Sequence, residues 1–478
     1  MSSRTARRAL VIGLVALAAL HFAGLGQRLV WLSGIDGWFW GITNRPTWSP
    51  WVVLAFMIAM VSTVALATWA EPRRGWPRAL ALVLVAYAMQ HIAAFSEGRG
   101  LAGLRDRIVT TGHAEFVTVA VRERATPDLL RTYNARAEAG ALGQYAPSKP
   151  PGQLQLYMAT DFVSRRFATA PTPEAEADAL RDVATWWWPL FAALPVLPIY
   201  ALGVLLSRRQ GARGEDRGAA LTAAALYAVV PAVALITLHT DQVFYPLLVA
   251  CAALAAFAAS RHPRAAVSLL AGLAYAAALY CSFGLLAAAP VIATLVVGAE
   301  PLSDRAGWRR ALSRLALWAL GLAIAYAILR FGFGYDWLDG RRIAQAHHVK
   351  WKGWDERQAT FVHYGMLDVL DFAVWVGLPV ALVALLAFIG ALADLRASLR
   401  AASPRLALGL LACFVGLVMM GRTKGETGRL WLFLAPFVCL TAAAWLHRRL
   451  RARPQEIAVL IALQATSIYF MKRFMDFW

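Results

Sequence analysis

Stretches of about 17–23 residues with few or no charges recur along almost the whole chain, each long enough to cross about 30 Å of hydrocarbon as a helix. In lipid a segment must satisfy its own backbone hydrogen bonds, so a helix is the default spanning element. The period-two alternation that a barrel needs is absent. Thirteen runs can be drawn, roughly at 8–25, 50–70, 79–95, 185–207, 218–238, 242–260, 265–281, 283–299, 314–332, 371–393, 405–421, 429–446 and 456–471. The uncharged stretch 265–299 is divided at Cys281-Ser282-Phe283-Gly284, because one helix of that length would overshoot the bilayer. Composition agrees: 59% of the 478 residues are hydrophobic and the mean hydropathy is +0.54, against about 45–50% apolar for a soluble domain. The expected fold is an all-α polytopic membrane bundle of about 13 transmembrane helices.

A net charge of +19 raises the question of nucleic acid. The arginines instead cluster at the ends of apolar runs, which is how topology is set. About half of the chain's 47 lysines and arginines lie in short connections on one side, from Arg4, Arg7 and Arg8 to Arg448, Arg449, Arg451 and Arg453. Opposite short connections at 239–241 and 281–282 have none. The expectation is a plasma-membrane protein with a cytoplasmic N-terminus, an external C-terminus and external loops at 96–184 and 333–370. The basic and then apolar N-terminus shows no small-residue cleavage pattern after Gln27, so it reads as a retained anchor helix. Cys251, Cys281, Cys413 and Cys439 all fall in apolar runs and read as packing residues. Trp186-Trp187-Trp188, with Trp38, Trp40, Trp48 and Trp51, reads as an interfacial aromatic belt.

The 96–184 loop carries helix signals. Glu115 to Arg124 places Phe116, Val119 and Ala120 on one face. Thr126-Pro127-Asp128 offers a capping hydroxyl, a first-turn proline and an acid, with a stop at Gly140. Pro147, Pro150 and Pro151 predict an extended passage around Lys149. Leu154, Leu156, Tyr157 and Phe162 then suggest a helix lying on the membrane surface. Thr172-Pro173-Glu174 starts one more helix, which runs into the tryptophans.

Lys149, set between prolines and Ser148, is the most specific local signal, because a stiffened lysine loses less freedom on binding a phosphate oxygen. Glu115 is the candidate carboxylate to accept an acceptor's proton, with Asp106 as its rival. His113, Tyr145 and Ser148 would contact substrate, as would His239 and Asp241 in their short connection. Thr240-Asp241 can equally cap the following helix. In Gly421-Arg422-Thr423-Lys424-Gly425-Glu426-Thr427-Gly428-Arg429, Glu426 and Arg429 sit at i,i+3 and can pair, while Lys424 and Arg429 can hold a phosphate. The second loop interleaves Tyr335, Trp337, Arg341, Arg342, His347, His348, Lys350, Trp351 and Lys352, which suits a lid over an anionic substrate or contact with headgroups.

One span, a long loop with an acid early and Lys149-Pro150-Pro151 late, six more spans and a second loop resemble the GT-C glycosyltransferases. The likeness is greatest to the protein mannosyltransferase and aminoarabinose transferase family, and covers roughly 79–370 in layout. It implies a seven-helix core at 79–332 containing the loop 96–184, a second loop at 333–370, C-terminal helices at 371–478 and two additional helices at 1–78. It also implies an inverting enzyme that takes a sugar from a polyprenyl-phosphate donor to an extracytoplasmic glycan, lipid or protein. Lys149 would contact the donor phosphate and Glu115 would stand where the family usually has aspartate, often in an acidic pair. No cofactor is required by this reading, and a divalent metal is left open. A transporter or flippase for a lipid-linked anion is the alternative, and a non-catalytic assembly factor a third.

Overall fold

The computed structural model describes residues 3–29, 48–69, 75–110, 114–167, 171–207, 217–235, 240–298, 300, 302, 304–352, 361–421, 423 and 425–475, with backbone alone at 107, 109–110, 240–242, 352 and 361–363. Among the described residues the regular elements are helical and none is a strand. The chain opens with α1 (Ser3–Gly26), α2 (Pro50–Thr68) and α3 (Gly75–Phe95). The polar stretch then forms α4 (Gly100–Thr110), α5 (Ala114–Glu123), α6 (Leu129–Glu138), α7 (Pro151–Ser164) and the first half of α8 (Pro173–Ala193). Next come α9 (Val196–Ser207), α10 (Arg217–Ala228), α11 (Pro231–Leu235), α12 (Thr240–Ser260), α13 (Val267–Cys281), α14 (Ala289–Val297) and α15 (Arg305–Ala327). The second polar stretch holds α16 (Trp337–Lys352), and the chain closes with α17 (Phe361–Val376), α18 (Leu378–Ala393), α19 (Leu395–Arg400), α20 (Ala402–Met420), α21 (Thr427–Leu430), α22 (Ala435–Trp445) and α23 (Pro454–Phe474).

Among the described residues, eight helical segments are long and apolar enough to cross a membrane: Arg4–Gly26, Pro50–Thr68, Gly75–Phe95, Pro173–Ser207, Val243–Ser260, Arg305–Gly332, Ala402–Met420 and Pro454–Phe474. This is a multi-pass helical membrane protein. The other apolar runs are helical too, but short or broken, and each break has a local cause. Pro231 separates α10 from α11. Ser282, extended at φ −160°, ends α13 where the split was expected, and its hydroxyl accepts from the Gly284 amide at 3.3 Å. Gly377, at φ 99°, separates α17 from α18.

Two cores form. The larger runs through the bundle, where α10 is buried along Ala219–Ala228 and packs on α2, α3, α9 and α22. Small residues let backbones approach without side chains between them. Gly272 and Gly321 make the crossing of α13 with α15, where an added Cβ would lie 2.1 Å from the Trp318 oxygen or 2.2 Å from the Leu269 oxygen. Basic residues at helix ends also bond to carbonyls, as Arg405 does to Glu300 at 2.8 Å and Arg448 to Leu206 at 2.5 Å.

The second core lies under the 96–184 segment, where Phe116 stacks on Tyr157 with ring centroids 5.2 Å apart and Trp188 meets Tyr157 edge-on at 5.1 Å. Three local expectations are corrected by it. α7 buries Leu154 and Tyr157 against α5 and α8 instead of lying on lipid, and only Phe162 of the expected face is well exposed. Thr126 does not cap α6; its hydroxyl donates to Glu123 at 2.8 Å, and Asp128 takes the N-cap position with φ 53°. Trp188 is fully buried, while Trp186 and Trp187 remain exposed as a belt requires. The Thr172 cap on the Ala175 amide is present at 3.3 Å.

Candidate functional site

The turn before Lys149 is gripped from both sides. Glu115, in the first turn of α5, accepts from the Gln144 amide at 2.8 and 2.9 Å and from the Tyr145 amide at 2.7 Å. Across the turn, Nε2 of His347 in α16 donates to the Gln144 carbonyl at 2.7 Å, and Trp351 meets Tyr145 edge-on at 5.3 Å. His348 points elsewhere and contacts Trp351, as neighbours on a helix do. Gly143 allows this closeness: at φ 79° its added Cβ would lie 2.2 Å from Glu115 Oε1.

Pro147 falls in a short 3-10 turn, Ala146–Ser148, not in an extended run. Extension begins at Lys149 (φ −129°, ψ 154°) and continues through Pro150, with Pro151 opening α7. The buried Tyr133 hydroxyl bonds the carbonyls of Ala146 and Lys149, each at 3.1 Å, so the backbone is tied on either side of the lysine. The Lys149 ammonium, half-buried, lies 5.8 Å from the Tyr245 ring centre. Such a contact contributes about 0.5–1 kcal/mol at exposed sites and more when desolvated. Tyr245 is itself set by bonds from its hydroxyl to Gln153 at 3.2 Å and to the Cys281 carbonyl at 3.4 Å. Ser148 donates to the Tyr145 carbonyl at 2.6 Å.

Arg429 and Glu426 pair across one turn of α21, as their spacing predicts. α21, which carries Arg429, packs against α17 and also against α12, the helix that carries Tyr245. Two carboxylates that the sequence reading passed over support this region. Asp368 accepts from the Gly425 amide at 2.8 Å and Asp371 from the Thr427 amide at 2.9 Å. Their signal in the sequence is an i,i+3 acidic pair leading into an apolar run.

The remaining candidates are placed as follows. Asp106 on α4 pairs with Arg99, which precedes the helix, and the neighbouring Arg105 reaches Asp178 and Asp182 on α8, so Asp106 belongs to an ion-pair network. Asp241 stands one turn before Tyr245 in α12, and its side chain, like His113, His239 and Lys424, lies outside the described residues. Among the described residues no three His, Cys, Asp or Glu side chains converge as a metal centre would require.

The buried carboxylates of the loop core are structural. Burial pushes the Glu123 carboxyl up, but hydrogen bonds from Thr126, Arg122 and Arg136 outweigh it, and the net shift is downward. For Asp161 burial wins over Arg165 and Arg124 and the net shift is upward.

Asp368, which precedes the apolar run beginning at 371, makes a testable pH dependence. Burial pushes its carboxyl up to about 7; the Gly425 amide opposes the rise and the Asp371 charge adds to it. An unfolded aspartate titrates near about 3.9. Between these values the folded chain holds the extra proton, so stability is fully present below the lower one and falls as pH rises towards 7. Asp368→Asn keeps an oxygen for the Gly425 amide and removes the titration. Its melting temperature should exceed that of wild type at pH 8 and match it near pH 4; equal values at pH 8 refute the assignment.

No protein-family model matches the sequence, and no curated protein matches it either.

Proposed function

We propose that this chain is an integral plasma-membrane glycosyltransferase of about 13 transmembrane helices with a GT-C-like seven-helix core. In this reading the N-terminus is cytoplasmic and residues 96–184 and 333–370 lie outside. The donor is a sugar on a polyprenyl phosphate, and the acceptor is an extracytoplasmic glycan, lipid or protein. The observation that carries the reading is the setting of Lys149. The Lys149 ammonium stands on a backbone fixed by prolines and Tyr133, beside an aromatic ring, where a polar helical cap joins an apolar bundle. A lipid phosphate occupies such a boundary, with its chain in the bilayer and its charge at the surface.

The acceptor oxygen attacks the anomeric carbon from the face opposite the phosphate, which gives inversion, and its hydroxyl proton passes to solvent water at the outer surface. The bond from anomeric carbon to phosphate oxygen breaks, and the polyprenyl phosphate leaves with the electron pair. Lys149 and Arg429 oppose the charge that grows on the phosphate, and fixed cations need no reorganisation to do so. Glu115 is assigned here as the anchor of the Lys149 turn, because its oxygens already accept from two backbone amides. On this assignment Glu115→Gln raises the donor KM about three- to tenfold and leaves kcat nearly intact. A fall in kcat of about 100-fold or more at unchanged KM would instead make Glu115 the base.

Purified protein in nanodiscs, given labelled polyprenyl-phosphate sugars and candidate acceptors, tests the class. Transfer that disappears in Lys149→Ala supports the enzyme. Passage of intact lipid between leaflets without bond cleavage would replace it with a flippase.

A further inference from the structure

One face of α17 grips the segment that leads to Arg429. Asp368, Asp371 and Trp375 follow one another at i, i+3 and i+7, and so share a helix face. Asp368 holds the Gly425 amide at 2.8 Å. Asp371 holds the Thr427 amide at 2.9 Å and also accepts from the Thr427 hydroxyl, which lies 3.1 Å from the backbone carbonyl oxygen of Asp368 as well. Trp375, fully buried, lies flat enough against Gly428 that an added Cβ there would sit 2.2 Å from its Cγ. Three successive rungs thus hold residues 425, 427 and 428, and Arg429 is next.

Such a grip answers a conformational need. Gly425 has φ 69° and Glu426 has φ 57°, a left-handed pair of which the second is costly for a residue with a side chain. The two aspartates are only 2% and 6% exposed, and carboxylates kept that far from water require fixed partners. The partners are amides whose positions define the turn. The Glu426–Arg429 ion pair then spans the turn so held.

We propose that Asp371, with Asp368, is a positioning residue that sets the Arg429 guanidinium for an anionic lipid phosphate by fixing the 425–428 turn. This rests on the reading of Arg429 as a phosphate ligand. It assigns to α17 a control over donor affinity that is separate from the Lys149 turn.

Binding of fluorescent polyprenyl phosphate to the full chain in nanodiscs tests it through a double-mutant cycle. Asp371→Ala should weaken binding about tenfold in the wild-type background and less than about twofold when Arg429 is already alanine. Asp371→Asn, which still offers an oxygen to Thr427, should restore affinity to within about threefold of wild type. Thr427→Val, which cuts one rung without removing a charge, serves if Asp371→Ala fails to fold and should give a smaller loss that also vanishes without Arg429. Equal losses in both backgrounds, or no loss where Arg429→Ala weakens binding, overturn the inference alone. Wild type that binds no polyprenyl phosphate, or Arg429→Ala that binds as well as wild type, removes the phosphate-ligand reading and the inference with it.

Discussion

Replacing Lys149 with alanine should lower kcat/KM for a polyprenyl-phosphate sugar by about 100- to 1,000-fold, the range seen when one preorganised charge-stabilising group is removed. The fold should survive, because the side chain is half-buried at the edge of the loop core while the bonds that fix the turn come from Tyr133 and Glu115. Lys149→Arg should recover only part of the loss. The charge is kept, but a longer planar group must fit beside the Tyr245 ring, which bonds from its hydroxyl to Gln153 and the Cys281 carbonyl hold in place. Steady-state transfer with labelled donor, alongside thermal melting of each variant, separates the two effects. Full activity in Lys149→Ala would end the assignment of this turn as the phosphate site.

Gly152→Ala should produce the largest loss of stability near the site, about 1–3 kcal/mol or somewhat more. α7 meets the end of α13 here with no side chain between them. A Cβ at 152 would lie 2.4 Å from the Tyr280 carbonyl oxygen and 2.8 Å from its Cδ1. The nearest atom is backbone at the close of a helix, so it cannot swing aside as a flexible side chain would. Relief requires α7 and the end of α13 to separate, which disturbs the adjoining Lys149-Pro150-Pro151 segment. A fall in melting temperature accompanied by weaker donor binding is the expected pair of results. Unchanged melting would mean that the contact opens freely.

The apolar runs were legible because hydrocarbon thickness and backbone hydrogen bonding act on each segment by itself. The break at Ser282, the Thr172 cap, the Gly140 stop and the Glu426–Arg429 pair are likewise decided within a few residues. Partners far apart in sequence were not legible. Nothing near Glu115 announces that its carboxylate will bond amides at 144 and 145, and nothing near Thr126 announces that Glu123 will take its hydroxyl away from capping. α7 looked like a surface helix since the same apolar stripe can face lipid or protein, and only its packing on α5 and α8 selects between them.

By itself the sequence determined a helical, multi-pass membrane chain, two long polar segments, the first of them helical, and a lysine stiffened by prolines. Those follow from local rules of length, charge and backbone restriction. The tertiary structure decided what that lysine faces, which carboxylates are structural, and that α17 holds the turn carrying Arg429. Those depend on groups tens of residues or more apart in sequence coming into contact, which no local rule specifies.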